Sequence, residues 1–158
     1  IKAHIKVNLE QDPEYYQSLS LRLKEIIEKY EDKWDELVEQ LLLFRGEMEG
    51  EKKKKAEDLG LSETEFAFHN VLMAEITKAS GESVMDEATF QRVRALIRKL
   101  VNQFAESSEI IGFFQKNDEI KTMKRNIRRA MIMEDFEDPE LIKAVTERFM
   151  DLGKVKFK

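Results

Sequence analysis

Only two prolines occur in this chain, and each directly follows an aspartate, at Asp12-Pro13 and Asp138-Pro139. A helix accepts proline well only in its first turn, where the missing N–H has no intrahelical partner to lose. The aspartate before it can accept one of the exposed N–H groups of that turn. Each pair therefore reads as a helix start. Glycine is also sparse, at six positions in 158 residues. A chain with so few breakers can form long helices, provided each has an apolar face to bury.

The apolar residues recur at the spacing that requires. After Pro13, Tyr16, Leu19, Leu23, Ile26, Ile27 and Tyr30 form one stripe at three- and four-residue steps. Trp34, Leu37, Val38, Leu41, Phe44 and Met48 repeat it on a second, longer helix, whose tail EGEKKKKAED is charged all round. These two helices are expected to form a hairpin or a single bent rod, the Lys-rich end projecting as a solvated tip. Before them, IKAHIKVNLE alternates in the manner of a strand and reads as an extended leader over residues 1–11. Residues 12–158 read as a single helical domain.

The third helix opens with DLGLSETEFAFHNVL at residues 58–72. Ser62 and Glu65 have the spacing of a capping box, Leu61 and Phe66 occupy the flanking staple positions, and Gly60 is read as a flexible joint. Loss of the Ser62 cap is expected to cost about 1 kcal/mol. Phe68, Leu72 and Ile76 continue inward until Gly81 ends the helix. A fourth helix follows an Asp86 cap, with Phe90, Val93, Ile97, Leu100, Val101 and Phe104 inward. The apolar link IIGFF leads to a cap at Asn117 or Asp118 and a fifth helix with Ile120, Met123, Ile127 and Met131 inward. A sixth starts at Pro139, buries Ile142, Val145, Phe149 and Leu152, and is expected to end at Gly153. The fold class is all-α, a bundle of about six helices with a long N-terminal hairpin.

Reactive constellations are scarce. With no cysteine there is no disulfide, thiolate zinc site or cysteine nucleophile. His69 lies one turn after Glu65, but only His4 could add a second imidazole and Glu65 is committed to the cap, so His69 reads as a packing or surface residue. EDFED at 134–138 lacks the spacing and glycine of a calcium loop and reads as a solvated link ending in a cap. Asp138-Pro139 near Lys143, and Glu51 near Lys53, mimic a nuclease signature only superficially, since both fall on helices. Neither a phosphate-cradling glycine loop nor GxSxG nor HExxH is present. No catalytic, metal or cofactor residues are assigned, and the chain is not expected to be an enzyme. The apolar runs fall far short of a membrane span.

Charge is distributed unevenly. A net charge of −5 argues against a domain that coats DNA or an anionic membrane all over. Yet residues 116–129 carry six basic side chains against two acidic. Lys121, Arg125, Arg128 and Arg129, with Arg94 and Arg98 on the preceding helix, are the candidate contact residues for DNA or for an acidic protein. Composition does not choose between these partners, and a plain solvated face is the third reading.

The run GLSETEFAFHNVL resembles a stretch near the C-terminus of the restriction (R) subunit of type I restriction–modification enzymes, through Gly60, Leu61, Ser62, Glu65, Ala67, Phe68 and His69. DPEYYQSLSLRLKEII is similar to the segment after that subunit's second motor lobe, and IIGFFQKNDEIKTMKRNIRRAM to its aromatic segment and basic helix. Where several members carry a Gly-Tyr-Pro-Pro turn this chain has MEDFEDPEL, so its last helix rests on periodicity alone. The resemblance implies a C-terminal assembly domain joined through its leader to a preceding motor. That domain would dock a translocating, ATP- and Mg²⁺-dependent nuclease onto its methyltransferase and specificity subunits in the cytoplasm. Catalysis would lie upstream, and DNA would be met through the parent complex. The alternatives are an accessory DNA-gripping module and a stand-alone helical scaffold.

Overall fold

The computed structural model describes residues 1–81, 86–110 and 112–157, and the side chains of all of these except Val7 and Glu49. The described elements are all helices: α1 Lys2–Asn8, α2 Pro13–Lys29, α3 Trp34–Asp58, α4 Glu63–Ser80, α5 Glu87–Ser107, a 3-10 turn Phe113–Gln115, α6 Asn117–Met133 and α7 Pro139–Lys156. The fold is all-α, with two compact units, Ile1–Glu63 and Thr64–Lys158. In the IIGFF link, Ile111 lies outside the described residues.

The leader is helical, not extended. Its alternation places Ile1, Ile5 and Leu9 four apart, a spacing that serves a helix face as well as a strand face. Packing decides between them: Ile5 is buried, and His4 meets the Tyr16 ring of α2 at 5.9 Å. Asp12 caps α2 as its sequence implies, accepting from the Tyr15 N–H at 3.4 Å.

α2 and α3 form the expected antiparallel hairpin, joined by a polar seam. Arg22 donates to Glu47 at 3.1 Å and to Glu51 at 3.0 Å. The lysine run belongs to this seam and is not a projecting tip. Lys52 lies 3.9 Å from the fully buried Asp12 carboxylate and 5.2 Å from the Tyr16 ring centre. Lys55 pairs with Glu51 at 2.6 Å, while Lys53 and Lys54 remain exposed. Burial pushes the Glu51 carboxyl up, but Lys55 and Arg22 outweigh it and hold it below the usual carboxylate range. On α3, Leu37, Phe44 and Met48 are buried as expected, whereas Trp34 and Val38 face solvent.

Gly60 is not a loose joint. It adopts φ +71 and closes α3 with paired bonds, its own N–H to Glu57 and that of Leu61 to Ala56, each at 2.9 Å. This is the double bond of a Schellman cap, in which glycine takes a left-handed conformation without steric cost.

The second unit is built around aromatic rings. Phe68 of α4 sits 5.0 Å from Phe149 of α7 and 5.6 Å from Phe104 of α5, and all three are fully buried. Glu75 of α4 is also buried and receives a 3.0 Å bond from Arg148 of α7. Asp86 caps α5 through the Thr89 N–H at 2.7 Å, and Asp138 caps α7 through Glu140 and Leu141.

Two boundaries differ from expectation. α6 begins at Asn117 with Lys116 at its cap position, and its first turn gains Asp118 and Glu119 instead of a side-chain cap. Carboxylates there favour the positive end of the helix dipole, which serves part of a cap's purpose. α7 runs through Gly153 to Lys156, because that glycine is a packing position and not a stop: a Cβ there would come within 2.4 Å of the Phe104 ring.

Candidate partner interface

α6 presents two opposite faces. Met123, Ile127, Ala130 and Met131 are buried, while Lys121, Arg125, Arg128 and Arg129 are exposed on the far side. At about 100° per residue these four, with Lys124 and Ile132, share one flank of the helix. Lys124 is 3.7 Å from Glu147 of α7, and the Arg128 side chain donates to the Lys124 carbonyl at 3.3 Å. Among the described residues, Lys121, Arg125, Arg128 and Arg129 have no carboxylate partner.

Beside this face, α6 and α7 enclose an open groove of about 790 Å³. Ile132, Phe136 and Ile142 supply its apolar lining, and Lys124, Arg128, Lys143, Asp135, Glu137 and Glu147 supply charges of both signs. Ile132 and Met133 are 60% and 68% exposed, so the basic face ends in uncovered apolar surface. The groove's shape is fixed by the end of α6. Asp135 takes a left-handed φ of 65, and the N–H groups of Asp135 and Phe136 bond back to Ile132 and Met131 at 3.0 and 3.2 Å. Arg92 of α5 holds that turn from the side, donating to Glu134 at 3.1 Å and to Asp135 at 2.8 Å. The acidic run 134–138 thus serves as clamp site, groove wall and helix cap.

The two α5 candidates belong elsewhere. Arg98 reaches Glu65 of α4 at 3.9 Å, and Arg94 bonds Gln91 and lies 5.9 Å from the Phe90 ring centre. Phe90 in turn meets His69 of α4. Arg92, which holds the α6 turn, projects about 200° around α5 from Arg94. The six candidates are therefore not one patch. Sequence reasoning missed Ile132, Phe136 and Lys143. The usable signal was that Ile132 and Met133 fall outside the inward stripe of α6.

Glu65 and His69 both stand in helix packing, Glu65 beside Arg98 of α5 and His69 against Phe90. Among the described residues no group of three His, Asp or Glu side chains could hold a metal ion. His69 is 7% exposed, its ring edge-on to Phe90 at 6.1 Å, and neither ring nitrogen has a partner at hydrogen-bonding geometry. Burial pushes the imidazole below its ordinary range, with Asn70 acting weakly the other way. A depressed folded pKa means that the unfolded chain binds the proton first as pH falls. The stabilisation is complete above the unfolded value of about 6.5 and is lost between there and the lower folded value. His69→Leu is expected to flatten the fall in stability of the second unit between neutral and mildly acidic pH, read from urea midpoints by circular dichroism. An unchanged pH profile would remove His69 as its source.

No helix among the described residues is long and apolar enough to cross a membrane. No curated protein and no solved structure matches the chain. A family model does, over residues 1–152, described as "Type I restriction enzyme HindI endonuclease subunit-like, C-terminal". That match takes in both compact units and every element but the last residues of α7, and the chain belongs to this family of C-terminal domains from type I restriction endonucleases.

Proposed function

We propose that this chain is the assembly domain of a type I restriction endonuclease subunit, docking it onto the methyltransferase–specificity core. The reading is carried by the α6 face, where four cations lacking carboxylate partners adjoin a groove with an apolar lining. Protein interfaces of this kind gain affinity from a desolvated apolar centre, while rim charges set encounter rate and register. Catalysis, with its ATP and Mg²⁺, belongs to the rest of the subunit in this reading, and the complex works in the cytoplasm. The family assignment favours this reading over an unrelated scaffold.

The test is the joint reversal Lys121→Glu, Arg125→Glu, Arg128→Glu and Arg129→Glu in the full restriction subunit. Affinity for the purified core is expected to fall by roughly tenfold or more, with the loss mainly in association rate. Equal affinity would sink the proposal. An accessory grip on DNA gives a different result: four phosphate contacts would weaken duplex binding roughly a hundredfold between 50 and 200 mM salt. The apolar lining of Ile132, Phe136 and Ile142 would gain nothing against a phosphate backbone, which favours the protein partner.

A further inference from the structure

The contact of Lys124 with Glu147 at 3.7 Å sets the register of α6 against α7, which run in opposite directions from the turn that joins them. One helical turn closer to that connection, Arg128 of α6 therefore stands across the groove from Lys143 of α7. Both are exposed, and among the described residues neither has a carboxylate partner. Arg128 gives one N–H to the Lys124 carbonyl of its own helix. Of the groove's carboxylates, Glu147 is engaged by Lys124 and Asp135 by Arg92, while Glu137 lies in the connecting turn. Two cations facing each other across the groove repel, and an anion between them relieves that.

The walls of the groove are helices, whose backbone groups are already bonded. An extended segment buried there would leave its own N–H and C=O groups without partners, whereas a helix carries its bonds with it. From the Lys124–Glu147 bridge to Ile132 the groove runs about 12 Å, the length of about two helical turns. We infer, on the docking reading above, that the partner lays an amphipathic helix here. It sets an apolar side chain on Ile132, Phe136 and Ile142 and, one turn away, a carboxylate between Arg128 and Lys143. The spacing follows from α6 itself, in which Arg128 precedes Ile132 by four residues.

Photo-crosslinking of the full restriction subunit to the purified methyltransferase–specificity core tests this. p-Benzoylphenylalanine is placed at Phe136, in the groove, or at Arg125, on the exposed cation face, and mass spectrometry identifies the core residue captured. The probe at Phe136 is expected to capture an apolar residue with Asp or Glu three or four positions away. Lys143→Glu should weaken binding to the core by roughly tenfold, and changing that partner carboxylate to lysine should restore it. Lys143 is exposed, and circular dichroism of each variant verifies that the helices remain. A crosslink from Arg125 with none from Phe136 overturns the inference and leaves docking through α6 standing. A Phe136 crosslink to a segment without a carboxylate one turn away overturns it too, as does full affinity in Lys143→Glu. No crosslink from either site removes the docking reading and the groove's occupant together.

Discussion

Replacing Arg148 with methionine is expected to destabilise the second unit by about 3 kcal/mol, the lower end of the range for orphaning one member of a buried ion pair. Glu75 sets the size of the effect. Its side chain is only 9% exposed, and the guanidinium 3.0 Å away stabilises its charge. Methionine fills much of the vacated volume but offers no donor, so the carboxylate is left in the helix interface without the bond that offsets its burial. Arg148 is itself 30% exposed, which lets some solvent reach the site and keeps the cost from the top of the range. The double variant Glu75→Gln with Arg148→Met should recover most of the loss, because removing both charges leaves no ion to solvate. Urea unfolding followed by circular dichroism reads the helices of both units together. Tyr15, Tyr16, Tyr30 and Trp34 all lie before residue 64, so tyrosine and tryptophan signals report the first unit, and the part of the dichroism change that they do not follow belongs to the second. If Arg148→Met costs no more than an exposed pair would, the Glu75 site is wetter than its burial implies.

Helix existence was legible because it depends on local spacing. The stripes of α2 and of α4 to α7 are buried nearly as their periodicity implies, and the caps at Asp12, Asp86 and Asp138 follow from residue type. What the sequence left open was settled by partners distant along the chain. Ile1–Leu9 satisfied a strand and a helix equally until Tyr16 packed beside His4. Four consecutive lysines look like a solvated tip unless Asp12 and Glu51 are known to stand beside two of them. Composition likewise grouped Arg94 and Arg98 with the α6 cations, since no sequence count reveals that α5 turns them toward Glu65 and Phe90. The groove between α6 and α7 was hidden for the same reason. Its lining residues come from two helices and the turn between them, and none of the stretches carries a motif.

Gly153→Ala and Gly50→Ala are the same chemical change inside two helices, and they are expected to have opposite signs. At Gly50 an added Cβ meets nothing within 4 Å, so alanine should stabilise α3 by about 0.5–1 kcal/mol through its smaller loss of backbone freedom. At Gly153 the same methyl would fall 2.4, 2.7 and 3.0 Å from three atoms of the Phe104 ring. That ring has little room to retreat, being fully buried, 5.6 Å from Phe68 on one contact and stacked at 6.1 Å on Phe157 on another. Overpacking of this kind costs about 1–3 kcal/mol, which outweighs the gain in helix propensity and leaves a net loss. The measurement is again the urea midpoint, by circular dichroism for Gly153→Ala and by tyrosine fluorescence for Gly50→Ala. A second substitution locates the cause. Phe104→Leu alone should be destabilising because it removes a buried ring, but in its presence Gly153→Ala should cost much less, since the atoms the methyl struck are gone. Additive losses would mean that the methyl strains the helix backbone and not the ring. A gain from Gly153→Ala matching that at Gly50 would show that α7 does not approach Phe104 closely enough to need a glycine.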